Sequence, residues 1–331
     1  MHYSVFTLRH VVDHYVADNS AVNVCALDIS KAFDRVDHFA LLQSLMDRNL
    51  PRNFTGVLLD LLLESFVCVR WCGILSFWYR ITAGVRQGGI LSPVLFAIYM
   101  DTLIKRLRGT GLGCKIVDKY YGCLVYADDI LLLSYTASAM RAMLQICDEF
   151  AIDFDLKFNS SKSVAMRIGK RSSVQCAPFV LSGGELKFVS EMKYLGVCVM
   201  AARCFKTSVS HLKIKFYRTF NCIYSRSKAA NSEMVAVELL KAYCLPLLLY
   251  ASESVSLIPS QLHELNNCIN RAVFKIFGVS NGHTMKDIRN FVGLDDVAKI
   301  VEKRRMKFMD RLIDSGVYGD LFLATCLSVR N

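Results

Sequence analysis

The segment that most constrains this chain runs from Cys123 to Ser134: an apolar run, then Ala127-Asp128-Asp129, then a second apolar run. That pattern predicts a strand, a tight turn and a strand. Two adjacent carboxylates at such a turn repel one another and lose hydration against the apolar strands, which pushes one of them towards its neutral form. A divalent cation would remove the conflict. An exposed turn, where Asp is simply a favoured residue, is the plainer reading. A third carboxylate bears on the choice. Val22 to Ile29 is a short apolar run rich in β-branched residues, the pattern of a buried strand, and Asp28 lies near its end. A lone Asp there usually caps the following helix. If instead the strand ends are neighbours, the three carboxylates would form a cluster able to hold two metal ions about 3.5–4 Å apart for in-line phosphoryl transfer. Spacing alone leaves both readings open.

Between these segments a loop feeds a helix. Gly84 to Gly89 is a glycine-rich turn, and Ser92 followed by Pro93 predicts a helix start, with Ser as N-cap and Pro at the first helical position. Leu95, Ile98, Leu103 and Leu107 then fall near helical spacing, and Ala40 to Met46 and Arg141 to Phe150 predict further helices. Lys193 to Met200 predicts one strand. Beyond Thr207, Val209, Leu212, Phe216, Phe220 and Ile223 mark an amphipathic helix, and the remainder is mostly helical. The expected class is therefore α/β of the α+β kind, mixed first and helical afterwards. At about 150 residues per domain the 331 residues have room for two.

A mean hydropathy of +0.32 raises the question of a membrane. Val57 to Leu63 is broken by Asp60, and Cys244 to Ala251 is far shorter than the ~20 apolar residues a spanning helix needs. No membrane partner is expected. Met1 to His10 lacks the apolar stretch and small residues of a secretory signal, so export is not expected either. The 13 cysteines are odd in number and lie in a long chain, which favours reduced core thiols over a disulfide framework. Cys68 and Cys72, the closest pair, lack partners for a four-ligand zinc set. Of the net charge of +11, Ala201 to Asn331 contributes +8, with 19 Lys and Arg against 11 Asp and Glu. Between Met192 and Ser232 there is no acidic residue, while Lys193, Arg203, Lys206, Lys213, Lys215, Arg218, Arg226 and Lys228 are basic. Such a stripe attracts polyanions, although a solvated helix face has the same composition.

Three segments, in order, resemble palm motifs A, B and C of reverse transcriptases: Ala26-Leu27-Asp28-Ile29-Ser30-Lys31-Ala32-Phe33-Asp34, Arg86-Gln87-Gly88-Gly89-Ile90-Leu91-Ser92-Pro93 and Tyr126-Ala127-Asp128-Asp129. The wording around Ala32-Phe33-Asp34-Arg35-Val36 resembles the enzymes of non-LTR (LINE-type) retrotransposons. The resemblance implies a polymerase palm over residues 1–200, with residual fingers elements and a small antiparallel sheet packed on helices. An α-helical thumb and C-terminal extension over 201–331 would follow. It implies an RNA-directed DNA polymerase whose partners are an RNA template, a DNA primer and dNTPs. Asp28 and Asp128 would hold two Mg²⁺ ions, or Mn²⁺ in their place, with Asp129 beside them.

The same resemblance assigns further roles. Phe33 would exclude the 2′-hydroxyl of a ribonucleotide, and Gln87 and Gly88 would lie against the incoming nucleotide and the template. Asn159 and Lys162 match an Asn-x-x-Lys pattern in which the Lys would protonate the leaving pyrophosphate. Tyr194, Leu195 and Gly196 would form the primer grip, and Lys206, Lys213, Lys215 and Arg218 would track duplex phosphates. Plainer readings stand beside each: a core Phe, an ordinary loop, a surface Lys, a core strand ending in Gly. Only 27 residues precede Asp28, fewer than the family's fingers region, with no endonuclease domain before or cysteine-rich knuckle after. The expectation is a piece of a longer reading frame. An RNA-dependent RNA polymerase is the first alternative, opposed by Ala127 where those enzymes usually carry Gly; an inactive nucleic-acid-binding remnant is the second. An intracellular protein is expected, with nucleus and cytoplasm both open, since Lys303-Arg304-Arg305 is the strongest basic cluster. Oligomeric state is not legible.

Overall fold

Helix α1 (His2–Ala17) leads into strand β1 (Ala21–Leu27) in the computed structural model, which describes residues 1–174, 176–227 and 232–315. The chain divides into two units, Tyr15–Ser190 and a second made of Met1–His14 with the described residues from Glu191 onward. Each is taken by itself.

In the first unit β1 is followed by a 3-10 turn (Ala32–Arg35), α2 (His38–Met46), α3 (Arg52–Leu63) and four two-residue strands. These are β2 (Phe66–Val67), β3 (Arg70–Trp71), β4 (Ile74–Leu75) and β5 (Tyr79–Arg80). Then come α4 (Ser92–Gly109), the short pair β6 (Lys115–Ile116) and β7 (Lys119–Tyr120), β8 (Cys123–Tyr126), β9 (Asp129–Ser134) and α5 (Ala137–Asp153). The unit closes with β10 (Val164–Gly169), β11 (Val180–Leu181), β12 (Gly184–Glu185) and β13 (Lys187–Phe188).

The main sheet has the order β13-β10-β1-β9-β8, with β1 antiparallel to both β10 and β9. A central strand is covered on its faces and paired on both edges, which is why Val22, Val24 and Cys25 are apolar without strict alternation. α5 packs on β9 and α4 on α5. The shared core includes Leu27, Leu132, Phe96, Met100, Phe150 and Phe158, all buried. Each such side chain contributes about 1.5–3 kcal/mol relative to exposure. α5 begins at Thr136, whose side chain accepts from the Ala139 N–H, and its Met140, Met143, Leu144, Cys147 and Phe150 face inward at helical spacing.

α4 departs from the expected start. Its N-cap is Leu91, so Ser92 and Pro93 are the first two helical residues. Ser92 Oγ donates to the Arg86 carbonyl at 2.6 Å and caps nothing, because the preceding loop turns back over it.

The second unit holds a three-stranded antiparallel sheet, β14 (Glu191–Tyr194), β15 (Val197–Met200) and β16 (Lys206–Ser208). Lys193–Met200 is therefore a hairpin and not one strand. The two-residue loop Leu195-Gly196 has φ of 44° and 82°, the pair of positive values that a type I′ hairpin turn needs. The helices are α6 (Ser210–Ser227), α7 (Glu233–Leu239), α8 (Leu245–Leu248), α9 (Pro259–Phe277), α10 (Gly282–Phe291) and α11 (Val297–Asp314), with a π-turn at Leu240–Cys244. Leu212, Phe216 and Phe220 of α6 are buried against Leu265, Ile269 and Val273 of α9, as their spacing predicted. Phe6 packs on Phe308 and Leu312.

No helix among the described residues is long and apolar enough to cross a membrane. The 12 cysteines among them are free thiols. Burial pushes the Cys123 thiol up to about 12, so thiols of this kind pack as small apolar groups.

Candidate catalytic carboxylate site

Asp28 follows the last residue of β1. Leu27 pairs with Ile130 in the antiparallel β1–β9 register, so the next step along both strands sets Asp28 opposite Asp129. Tyr126 pairs with Asp129 across the β8–β9 hairpin, leaving Ala127-Asp128 as a two-residue loop with Ala127 at φ 53°. The three carboxylates thus come from one end of two neighbouring strands and the turn beside them. Asp128 and Asp129 are exposed and Asp28 is half-buried. The Asp129 carboxyl is pushed above its ordinary range, first by burial and then by the Asp128 and Asp28 charges. This is the conflict that adjacent carboxylates at a hairpin predict. Asp28 caps no helix: the following 3-10 turn begins at Lys31 without a side-chain cap.

The main chain of Asp28 is fixed on both sides. Its N–H donates to Ser163 Oγ at 3.0 Å, and its carbonyl accepts from the Asn159 N–H at 2.8 Å. Asn159 Oδ1 in turn accepts from Ser161 Oγ at 2.6 Å and from the Lys162 N–H at 3.3 Å, which closes the Asn159–Ser163 turn. The Asn-x-x-Lys segment is therefore the clamp on Asp28. Lys162 itself is exposed on that turn and is not among the charges that shift Asp129.

Phe33 and the Gln87 loop are joined through the backbone. The Val85 N–H donates to the Phe33 carbonyl at 2.8 Å and the Gly84 N–H to the Val36 carbonyl at 2.8 Å. Gly84 is required there: it has φ 93°, and a Cβ would lie 2.8 Å from the Asp34 carbonyl oxygen. Phe33 is half-buried with its ring centroid 4.6 Å from that of Phe96, so it belongs partly to the core, as the plainer reading had it. Gln87 and Gly88 are exposed, and a Cβ at Gly88 would meet open space.

The remaining sequence-predicted residues lie in the other unit. Tyr194 is buried, and Leu195 and Gly196 form the hairpin loop. Tyr250 Oη donates to the Leu195 carbonyl at 3.0 Å, and His211 Nε2 lies 3.0 Å from the Gly196 carbonyl. Lys206 is on β16; Lys215 and Arg218 are exposed on α6. Lys213 is instead half-buried and paired with Glu264 of α9, which partly neutralises it. Lys228 lies outside the described residues.

Ser163, Tyr250 and Tyr99 were missed by sequence reasoning. Tyr99 Oη accepts from the Asp37 N–H at 3.2 Å and donates to the Phe154 carbonyl at 2.6 Å, joining α2, α4 and the end of α5. Each acts through contacts distant in sequence, and Tyr250 and Tyr99 carry no local signal. Ser163 alone has a hint, its place directly after the Asn-x-x-Lys pattern.

Residues 1–199 match the family model for reverse transcriptase (RNA-dependent DNA polymerase). The chain belongs to that family. The chain is 27% identical, over 295 residues, to a retrovirus-related Pol polyprotein from the type-1 retrotransposable element R2 of Popillia japonica, covering 85% of this chain and 46% of the relative. It is 28% identical over 203 residues to the RNA-directed DNA polymerase from the mobile element jockey of Drosophila funebris, covering 58% and 21%. The chain spans less than half the length of these relatives. A likeness to apo telomerase from Candida tropicalis covers 98% of this chain and 56% of that one, at a TM-score of 0.49 and 13% identity.

Proposed function

We propose that this chain carries the polymerase site of an RNA-directed DNA polymerase of the non-LTR retrotransposon kind, extending a DNA primer with dNTPs on an RNA template. The observation that carries the reading is the convergence of Asp28, Asp128 and Asp129 at one end of the β1–β9 pair, in a chain of this family.

The carboxylates fit a divalent metal. Burial first, and then the Asp128 and Asp28 charges, raise Asp129, and a cation would relieve the cost. Among the described residues no three His, Cys, Asp or Glu side chains form a ready-made metal cage. Magnesium does not require one: it takes one or two carboxylates and fills its shell with water and substrate phosphate. Asp28 and Asp128 would hold it, with Asp129 alongside, and manganese would suit the same oxygens. When bound, the metal supplies activation of the primer 3′-hydroxyl and neutralises charge on the triphosphate.

The chain's own residues do the rest. The Asn159–Ser163 turn holds the Asp28 backbone, so that carboxylate is positioned before substrate arrives. Phe33, braced on Phe96, would stand against the sugar and disfavour a 2′-hydroxyl. Gln87 and Gly88, with no side chain in the way at Gly88, would let nucleotide and template approach the loop closely. Lys162 would deliver a proton to the departing pyrophosphate. In the other unit, the Leu195-Gly196 hairpin would grip the primer, and Lys206, Lys215 and Arg218 would meet phosphates, with Lys213 weakened in that role by Glu264.

The test is primer extension on an RNA template with dNTPs and Mg²⁺, comparing the chain with an Asp128→Asn, Asp129→Asn variant. Extension by the first and not the second is expected. Extension that survives in the variant would sink the site. Salt-sensitive binding to a primer–template without extension by either would favour the inactive remnant.

A further inference from the structure

The strands β2 to β5 form an arm on the first unit. Phe66 pairs with Arg80 and Val67 with Tyr79, and beyond them Arg70 pairs with Leu75 and Trp71 with Ile74. The Ser76 N–H donates to the Val69 carbonyl, so the two short ladders make one nested hairpin. Every residue from Val69 to Arg80 is exposed. Trp71 is 77% exposed, Phe77 93% and Trp78 66%. Folded chains rarely leave so many large apolar rings together in water without a partner for them.

Three further observations point to the partner's chemistry. From Ser65 to Met100 there is no Asp or Glu, while Arg70, Arg80 and Arg86 are present. Glu64 pairs with Arg80 at 3.7 Å at the base of the arm and Asp34 lies in the cavity wall, but beyond them the surface interleaves arginines with flat rings, which suits a strand of phosphates and unpaired bases. Arg80 and Arg86 are anchored at the base of the arm, on the Leu63 carbonyl and Ser65 Oγ, which leaves Arg70 outermost. Finally, a cavity of about 1010 Å³ lies between the arm and the motif B loop, lined by Phe66 and Trp78 on one side and by Arg86, Gln87 and Ile90 on the other. Its walls offer an aromatic ring for stacking and an amide and a guanidinium for the polar edge of a base.

We propose that this arm is a stacking platform for the unpaired bases of the template strand. The identity of that strand rests on the polymerase reading; the stacking chemistry does not. Stacking on exposed rings is tolerant of base sequence, because every base has a flat face. The arm therefore guides the strand without selecting it.

Trp71 and Trp78 are the only two tryptophans in the chain, so tryptophan emission, excited selectively over that of the 14 tyrosines, reports on the arm alone. The probes are a primer–template with a short uridine 5′ overhang and the same duplex blunt-ended, without dNTPs, with binding followed separately by anisotropy of a labelled primer. The overhang should quench the tryptophans, and the bound blunt duplex should not. Trp71→Ala and Trp78→Ala should each weaken overhang binding about tenfold and leave blunt binding unchanged. Arg70→Gln should lower the salt dependence of overhang binding by about 0.7 in the log–log slope. These residues are exposed, so the variants should keep the wild-type circular dichroism. Equal binding of both probes with unchanged emission would overturn the proposal. So would a tryptophan shift that follows protein concentration together with self-association in sedimentation, which would make the arm a protein interface. Quenching by the overhang in a chain that extends no primer would leave the platform standing and remove the polymerase reading; extension without quenching would do the reverse.

Discussion

Replacing Gly196 by Ala should destabilise the β14–β15 hairpin by about 1.5–3.5 kcal/mol, and the parts of that figure can be separated. Gly196 has φ 82°, where a residue with a Cβ costs about 1–2 kcal/mol. The new Cβ would lie 2.7 Å from Tyr250 Cε1 and 3.2 Å from Cζ and Oη, so the ring must move. That ring donates to the Leu195 carbonyl at 3.0 Å, and losing the bond costs about 0.5–1.5 kcal/mol. Tyr250→Phe removes only the hydroxyl, and with it the contacts to the Leu195 carbonyl and Met1 Sδ. Gly196→Ala in a Tyr250→Ala background removes the collision and should cost only the backbone strain, giving a coupling near 1 kcal/mol between the two sites. Hydrogen exchange of the paired Tyr194 and Val197 amides measures the local opening directly. Exchange roughly 10- to 400-fold faster is expected in Gly196→Ala. An acceleration below about threefold, or strictly additive effects, would refute the close packing of this turn on Tyr250.

Ser163 is buried and accepts the Asp28 N–H, so Ser163→Ala leaves that donor unpaired at a cost of about 1–3 kcal/mol. Catalytic turnover should fall while primer–template affinity holds, with partial recovery in Ser163→Thr; loss of affinity alone would contradict a positioning role. Asp129 has a raised carboxyl, so the folded state holds its proton more tightly than the unfolded chain. The Asp129 contribution to stability is then greatest below the ordinary value of 3.8, falls as pH rises through the folded value, and stays lower at neutral pH. Asp129→Asn should raise the melting temperature at pH 7 without metal, and Mg²⁺ should raise that of the wild type more than that of the variant; equal melting curves would count against the crowding. Phe33→Val should relax discrimination against ribonucleotides on the order of tenfold in single-nucleotide incorporation. An unchanged ratio would make Phe33 a core residue only.

Much of the first unit was legible because its strands and helices carry their own signals. The β8–β9 hairpin announces itself by two apolar runs around a polar turn, while α5 was read only over Arg141 to Phe150 and its first turn, capped by Thr136, was not. The Asp28–Asp129 approach was legible only as a conditional, since which strands pair is decided by contacts about 100 residues apart in sequence. The hairpin at Leu195-Gly196 was hidden. A Leu at φ 44° gives none of the Asn-Gly or Asp-Gly signal of such turns, and the conformation is held from outside by Tyr250 and His211. Ser92 misled for a related reason, its hydroxyl being taken by the Arg86 carbonyl. Lys213 read as a free cation because its partner, Glu264, lies on another helix. The arm from Phe66 to Arg80 has strands of two residues each, too short for any periodicity.

Manganese binding, followed by electron paramagnetic resonance in the presence of primer–template and a dNTP, tests the carboxylate site most directly. The account predicts a bound pair of ions in the wild type, lost in Asp28→Asn and Asp128→Asn with the primer–template still held. Stoichiometry unaffected by both substitutions would contradict it.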